Sequence, residues 1–446
     1  MSTSETLEAA LAALTALHPK RIDLGLGRIE RVLKALGNPQ HKLPPTLHVA
    51  GTNGKGSTIA YVRAIAEAQG LKCHVYTSPH LVDFNERIVL ASEKISDDAL
   101  IDVLTRVRAA NGSAPLSFFE ATTAAMFLAF SETSADLAII EVGLGGRYDA
   151  TNVITPALSA ITPIDYDHAE FLGTDLAGVA REKAGIFKRH TPAIIGAQNP
   201  LVTAVLDAEC NKLGLTPQIL NQDFRTYEQH GRLVYEDSHA LLDLPLPALS
   251  GQHQIQNAGL AIACARHLQL NDQSIAQGLK RVQWPARMQC LTGQNNGQIN
   301  SNELADMVRE VGGELWLDGG HNPHAARAVA AKMADLEARD PRPLIMIMGM
   351  LSNKDIKGYF DAFEGLVSAV IGVDIPDHKS FTPEQISTHA VTHGFLGQAA
   401  NNLIDAVQRA INTGEALSRQ NVAKPIIAPR ILICGSLYLA GEVLKF

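Results

Sequence analysis

His48-Val49-Ala50-Gly51-Thr52-Asn53-Gly54-Lys55-Gly56-Ser57-Thr58 joins an apolar run to a helical pattern through a glycine-rich turn, with a lysine followed closely by two hydroxyls. Such a turn reads as a phosphate cradle. Glycines let backbone N–H groups converge on an anion without obstruction by a Cβ, and the following helix N-terminus adds partial positive charge. Lys55 can reach the outer phosphates while a hydroxyl ligates Mg²⁺, so the stretch points to ATP. Its spelling departs from the common Gly-x-x-x-x-Gly-Lys-[Ser/Thr] loop: Gly56 follows the lysine, and Val49 stands where the first glycine would be. A strand-to-helix turn without a ligand is the plainer alternative, and the placement of lysine and hydroxyl weighs against it.

Working outward, short apolar runs at 46–50, 72–76, 137–142 and 157–162 alternate with helical segments such as 58–69 and 121–130. This rhythm predicts a P-loop-type, mostly parallel sheet with helices on both faces. Ligands in such folds bind beyond the carboxyl ends of the strands. The glycine loop, Ser78, Glu141 and the His168 segment each follow an expected strand, so all four can meet at one rim. Ahead of the sheet, 6–17 and 28–36 read as helices, the second stopped by Gly37-Asn38-Pro39.

From Leu220 to Leu249 the character changes, with Val234-Tyr235 strand-like and Leu244-Pro245-Leu246-Pro247 turn-like, and 256–268 then reads as an alanine-rich helix. The polar Gln294-Asn295-Asn296-Gly297-Gln298 suits a surface insertion just past a domain boundary. Beyond it a smaller α/β alternation begins, with strands at 314–317, 344–350, 369–373 and 430–434 and helices at 323–338, 383–391 and 402–411. No Gly-x-Gly-x-x-Gly occurs in this second part, which disfavours nicotinamide binding.

At 446 residues the chain exceeds what one hydrophobic core usually serves. Its 46% hydrophobic and 19% charged residues are those of an ordinary globular protein, and its formal net charge of −8 argues against nucleic acid or an anionic membrane as partner. Anionic substrates would gain nothing from that net charge, so local cations and helix termini must hold them. The five cysteines are scattered and form no Cys-x-x-Cys pair, which suggests reduced thiols. Glu5 and Glu8, with no basic residue before the first apolar positions, do not suit a signal peptide, and no apolar run approaches the roughly 20 residues that span a bilayer. A cytoplasmic monomer is expected.

The loop, followed by Thr77-Ser78-Pro79-His80-Leu81, Asn85-Glu86-Arg87-Ile88, Glu141-Val142-Gly143-Leu144-Gly145-Gly146-Arg147, Asp149-Ala150-Thr151-Asn152, Arg181-Glu182-Lys183-Ala184-Gly185-Ile186 and Leu317-Asp318-Gly319-Gly320-His321-Asn322-Pro323-His324, resembles folylpolyglutamate synthase. The likeness is closest to the bacterial form that doubles as dihydrofolate synthase, a relative of the Mur ligases of cell-wall synthesis. The resemblance runs along nearly the whole chain. It implies an ATP-binding Mur-ligase-like domain over 1–290 and a smaller Rossmann-like α/β domain of glutamate-ligase type over 291–446. It also implies dihydropteroate, reduced folates and L-glutamate as substrates.

Joining a carboxylate to an amine in water requires a better electrophile, which ATP provides by forming an acyl phosphate. The chemistry needs positioning and charge neutralisation more than a protein nucleophile. By resemblance, Gly51, Thr52, Asn53, Gly54, Lys55, Gly56 and Ser57 hold the phosphates, and Ser57, Ser78, Glu141 and His168 hold Mg²⁺. Glu141 at the end of an apolar strand suits a metal at the sheet rim, with a turn cap as the plainer alternative. His168 alone would be an ordinary loop histidine. Lys183 matches a lysine that similar enzymes carry as a carbamate, an anion that can help to hold the metal. Asn257, Arg287, Asp318 and His321 match the adenine and ribose side, so the resemblance implies that ATP is gripped between domains. Ala286 stands where the family usually has glycine. Ile22, Leu24, Phe119, Asp149 and Ala150 match positions lining a dihydropteroate pocket, where Phe119 can stack on a heterocycle and Asp149 can accept its N–H groups.

Three other functions compete with this one: a ligase that only extends folates, a Mur ligase acting on a nucleotide-linked muramyl peptide, and a P-loop switch or transport ATPase. The loop spelling, and Glu141 in place of the usual aspartate, speak against the last.

Overall fold

The computed structural model describes residues 6–15, 25–295, 298–299, 301–419 and 427–446. Ile22 and Leu24, matched to the pteroate pocket, therefore lie outside the described residues. The chain divides into two compact units, one comprising Met1–Ala248 with Gln254–Val282, the other Leu249–His253 with Gln283–Phe446.

The first unit is built on an eight-stranded sheet. Its strands are β1 (Thr46–Ala50), β2 (Cys73–Tyr76), β3 (Ile88–Leu90), β4 (Glu93–Lys94), β5 (Leu137–Glu141), β6 (Leu158–Ile161), β7 (Ala193–Ile195) and β8 (Gln218–Ile219), in the order β4-β3-β2-β5-β1-β6-β7-β8. From β2 to β8 all neighbours run parallel, while β3 and β4 fold back antiparallel at one edge. Every residue of β1 and β5 is buried, as parallel strands covered on both faces require. One apolar cluster joins Ile88 and Ile140 to Met126, Phe127 and Phe130 of the helix Phe118–Glu132. Another joins Ile161 and Ile195 to Val179 of the helix Leu176–Lys183 and Leu206 of the helix Pro200–Lys212. Fully burying one such aliphatic or aromatic side chain contributes about 1.5–3 kcal/mol. The chain leaves β1 toward β2 on one side and later adds β6 to β8 on the other, so the loop after β1 sits where the winding reverses.

A second, antiparallel sheet follows in the order β11-β10-β9: β9 (Phe224–Gln229), β10 (Arg232–Asp237) and β11 (Leu241–Pro245). Leu244-Pro245, expected in a turn, instead closes β11 with Pro245 opposite Arg232. An edge strand tolerates proline because one of its sides has no ladder to complete.

The second unit opens with β12 (Gln289–Cys290), and then β13 (Gln294–Asn295) pairs antiparallel with β14 (Gln298–Ile299) within the expected surface insertion. The remaining strands are β15 (Glu314–Leu317), β16 (Leu344–Met348), β17 (Ala369–Gly372), β18 (Leu396–Ala399) and β19 (Arg430–Cys434), and the sheet order is β12-β15-β19-β16-β17-β18. Only β12 is antiparallel, so the expected smaller parallel α/β layer is present. Arg430 at the start of β19 is 1% exposed and donates to Glu314 Oε2 on β15 at 2.7 Å, its partner in register.

Among the described residues no helix is long and apolar enough to cross a membrane.

Candidate active site

The helix Lys55–Ala68 starts inside the glycine loop, which places Lys55 in its first turn. Gly51 has φ +148 and a Cβ there would lie 1.9 Å from Thr162 Oγ1; Gly54 has φ +87 and a Cβ would lie 2.5 Å from Asn257 Oδ1. Both positions need glycine for conformation and for space. The backbone N–H groups of Thr52 and Asn53 donate to the Pro163 carbonyl at 3.0 and 3.2 Å, and Thr52 Oγ1 donates to the Asp165 carbonyl at 2.9 Å. The segment leaving β6 thus clasps the loop leaving β1.

Two lysines converge on one carbonyl. Lys55 Nζ donates to Gly51 O at 3.2 Å and Lys183 Nζ donates to the same oxygen at 3.0 Å. Lys55 also donates to Thr52 O at 3.2 Å and stands 3.9 Å from Glu141 Oε1. Burial, aided by the Lys55 charge, pushes the Lys183 ammonium down to about 7. An anion seated in the loop would relieve this crowding of positive charge.

Glu141 ends β5 buried, and its Oε2 accepts the Ser78 N–H at 3.1 Å, which draws the loop after β2 to the same rim. Ser57 is buried and accepts from Gln254 Nε2 at 3.2 Å, while Gln254 Oε1 accepts from Asn257 Nδ2 at 3.2 Å. Gln254, inside the matched segment that holds Asn257, was not singled out in the sequence because nothing local shows that its amide reaches a serine nearly two hundred residues earlier. His168 is exposed with φ +51 and starts the helix Ala169–Leu172, on the segment whose Pro163 and Asp165 carbonyls hold the loop.

Among the described residues no three histidines, cysteines, aspartates or glutamates cluster as a metal cage. The buried Glu141 carboxylate beside Ser78 and the two lysines is a donor set that a Mg²⁺–phosphate pair fits.

Phe119 sits in the first turn of the helix Phe118–Glu132, which is capped by Ser117 and Glu120. Its half-buried ring fills the space over Gly143 and lies 6.3 Å from the Tyr76 ring. Asp149 is buried and accepts from Leu144 N at 2.8 Å, Thr151 N at 3.0 Å and Thr151 Oγ1 at 2.5 Å. Most of its acceptor capacity is therefore taken by its own chain, and Ala150 is buried in the core beside it.

In the second unit, Asp318 accepts from Met288 N at 2.8 Å and from Gly320 N at 2.7 Å, and Gly319 N donates to Ala286 O at 2.9 Å. These bonds bring Arg287, Asp318 and His321 together, with His321 Nδ1 donating to Gly319 O at 3.0 Å. Ala286 adopts φ +56, the left-handed conformation that glycine reaches without strain.

A glycine loop on a parallel sheet, gathering two lysines and a buried carboxylate, and a second parallel α/β unit together define a nucleotide-using α/β ligase. Residues 49–265 match the Mur ligase middle domain, and residues 304–436 match the Mur ligase glutamate ligase domain. The chain is 34% identical over 436 residues to the folylpolyglutamate synthase of Lacticaseibacillus casei, covering 93% of this chain and 92% of that one. It superposes on E. coli FolC in complex with DHPP and ADP with a TM-score of 0.84 at 29% identity, covering 99% and 97% of the two chains. The bifunctional folylpolyglutamate synthase/dihydrofolate synthase of Yersinia pestis, complexed with AMPPNP and Mn ion, gives a TM-score of 0.82 at 29% identity over 99% and 98%. The chain belongs to the Mur ligases, in the folylpolyglutamate synthase family, and is an ATP-dependent ligase that forms amide bonds.

Proposed function

We propose that this ligase joins L-glutamate to dihydropteroate, forming dihydrofolate, and then extends reduced folates with γ-linked glutamates. The convergence of Lys55 and Lys183 on the Gly51 carbonyl beside Glu141 is the observation that carries this assignment. It places, at the end of a parallel sheet, one cation for a transferred phosphoryl group, Lys55, beside an amine that becomes an anion when it takes up CO₂, Lys183. The ligands named for the E. coli and Yersinia pestis structures support the same chemistry.

ATP with Mg²⁺ would supply the phosphoryl group that turns the substrate carboxylate into an acyl phosphate. Gly51 to Ser57 wrap the phosphates, Lys55 balances their charge, and Ser57, Ser78, Glu141 and His168 are assigned to Mg²⁺. Lys183 is assigned a carbamate: its uncharged amine attacks CO₂, a C–N bond forms and a proton leaves to water. Asn257 is assigned to the nucleotide, as are Arg287, Asp318 and His321 in the second unit. Phe119, Asp149 and Ala150 are assigned to the pteroate, together with Ile22 and Leu24. We assign the ATP-binding domain to 1–290 and the glutamate-ligase domain to 291–446, in a cytoplasmic monomer acting on small molecules.

ADP release measured with dihydropteroate or tetrahydrofolate, each with and without glutamate, tests the assignment. Turnover with both acceptors, dependent on glutamate, is expected. Turnover with tetrahydrofolate alone would favour folate extension only, the activity named for the Lacticaseibacillus casei relative.

A further inference from the structure

The strand that feeds the phosphate loop, β1, carries a histidine at its centre with 0% exposure. His48 Nε2 lies 2.8 Å from Thr151 Oγ1, and Thr151 Oγ1 donates to Asp149 Oδ1 at 2.5 Å. A hydroxyl has one proton to give. Here it goes to the carboxylate, so Nε2 must be the donor and His48 is the neutral Nε2–H tautomer. Burial, with the Lys188 charge second, pushes the imidazole down to about 3, in keeping with that neutral form. Among the described residues its Nδ1 is buried without a hydrogen-bond partner, as a bare lone pair. At the other end, Asp149 Oδ2 accepts from Leu144 N at 2.8 Å and so fixes the turn next to Gly143, against which Phe119 packs.

We propose that His48 and Thr151 are positioning residues for the pteroate substrate: a buried chain from β1 through Thr151 fixes the Asp149 carboxylate and, through it, the turn under Phe119. The proposal rests on placing Asp149 and Phe119 at the pteroate pocket. Neither His48 nor Thr151 touches the substrate. His48 orients the threonine hydroxyl, which in turn holds the carboxylate in one rotamer. A buried network of this kind can also serve the fold alone. The two roles differ in what they do to one substrate relative to the other.

The test uses the full chain, with steady-state kinetics and calorimetric titration of dihydropteroate. Thr151→Val, which removes the hydroxyl, is expected to raise both KM and Kd for dihydropteroate about tenfold, with KM for ATP held within about twofold. Thr151→Ser, which restores the hydroxyl, is expected to recover most of the affinity. His48→Leu should behave like Thr151→Val, and His48→Gln, which keeps an N–H donor, like Thr151→Ser. Should Thr151→Val fail to fold by circular dichroism, the His48 pair carries the same comparison. Equal behaviour of the hydroxyl-keeping and hydroxyl-removing variants, or a parallel rise in KM for ATP, overturns the positioning role. Asp149→Ala separates the two possible failures. Loss of dihydropteroate affinity in that variant without any loss in Thr151→Val refutes the relay alone, whereas unchanged affinity in Asp149→Ala refutes the pocket and the relay with it.

Discussion

Lys183 Nζ is hydrogen-bonded to Gly51 O at 3.0 Å, across 132 residues of sequence. The last residue of the helix Leu176–Lys183 is thereby tied into the phosphate loop, beside the ammonium of Lys55. Two lysines sharing one carbonyl oxygen is an arrangement that repels itself until an anion arrives.

The pH dependence of stability at this site follows from the sign of the shift. Lys183 is held at about 7 in the fold against an ordinary 10.5, so between those values the unfolded chain binds the proton more often. Stability from this group therefore rises with pH from about 7 upward, and the penalty for its charged form is complete below that. Urea unfolding of wild type and Lys183→Met, followed from about pH 7 toward 10.5, should show a rise that is smaller in the variant. Identical slopes would remove Lys183 from the account.

A lysine that is part neutral near pH 7 is also nucleophilic enough to add CO₂. Native mass spectrometry of the intact, active, Mg²⁺-loaded enzyme is expected to show the added mass of one carbamate, absent from Lys183→Ala. Lys183→Ala should lose activity, and small carboxylates should restore part of it by replacing the anion. An unmodified amine in the active enzyme would end this role.

Lys55→Ala is expected to lower turnover by ~10²–10³, or about 3–4 kcal/mol of transition-state stabilisation, because its charge serves the phosphates and not a core. Circular dichroism and thermal unfolding should change little. Near-normal turnover in a folded variant would sink the loop assignment.

Gly54→Ala places a Cβ 2.5 Å from Asn257 Oδ1 on a residue at φ +87. The loop or Asn257 must move, and strain at such a position costs about 1–3 kcal/mol. KM for ATP should rise by roughly ten- to a hundredfold while binding of dihydropteroate is spared. A normal KM for ATP would show that neither Gly54 nor Asn257 faces the nucleotide.

Arg430→Met should destabilise the second unit by about 3 kcal/mol, since it strands Glu314 at the base of β15. Burial works to raise the Glu314 carboxyl, but the bonds from Arg430 and Trp316 and the nearby arginine charges outweigh it and hold it below 4.5. The stabilisation is present above 4.5 and lost as pH falls through the lower folded value, so chemical denaturation should show less acid sensitivity in the variant. An unchanged acid profile would count against the pair.

The apolar runs of β1, β5, β16 and β19 were legible because parallel strands covered on both faces cannot alternate polar and apolar residues. The glycine loop was legible because its chemistry is contiguous. The edge strand β18 went unread: its residues are exposed or only half-buried, and no apolar run marks it. Leu244-Pro245 looked like a turn because proline punctuates most sequences, and only pairing at a sheet edge makes it strand. Asp149 was matched to the pteroate pocket by resemblance alone, and its saturation by Leu144 and Thr151 could not be read from the sequence.

Sequence alone determined the strand-helix rhythm, the two-part organisation and the glycine-rich turn after β1, since each is written in neighbouring residues and follows from local propensity and hydrophobic period. Tertiary structure decided that Lys183 reaches Gly51, that Gln254 reaches Ser57, and that His48 reaches Asp149 through Thr151. Those contacts depend on where distant strands and helices end in space. A buried polar group must find its partner wherever the packed chain brings one, and that partner's identity is not encoded next to it.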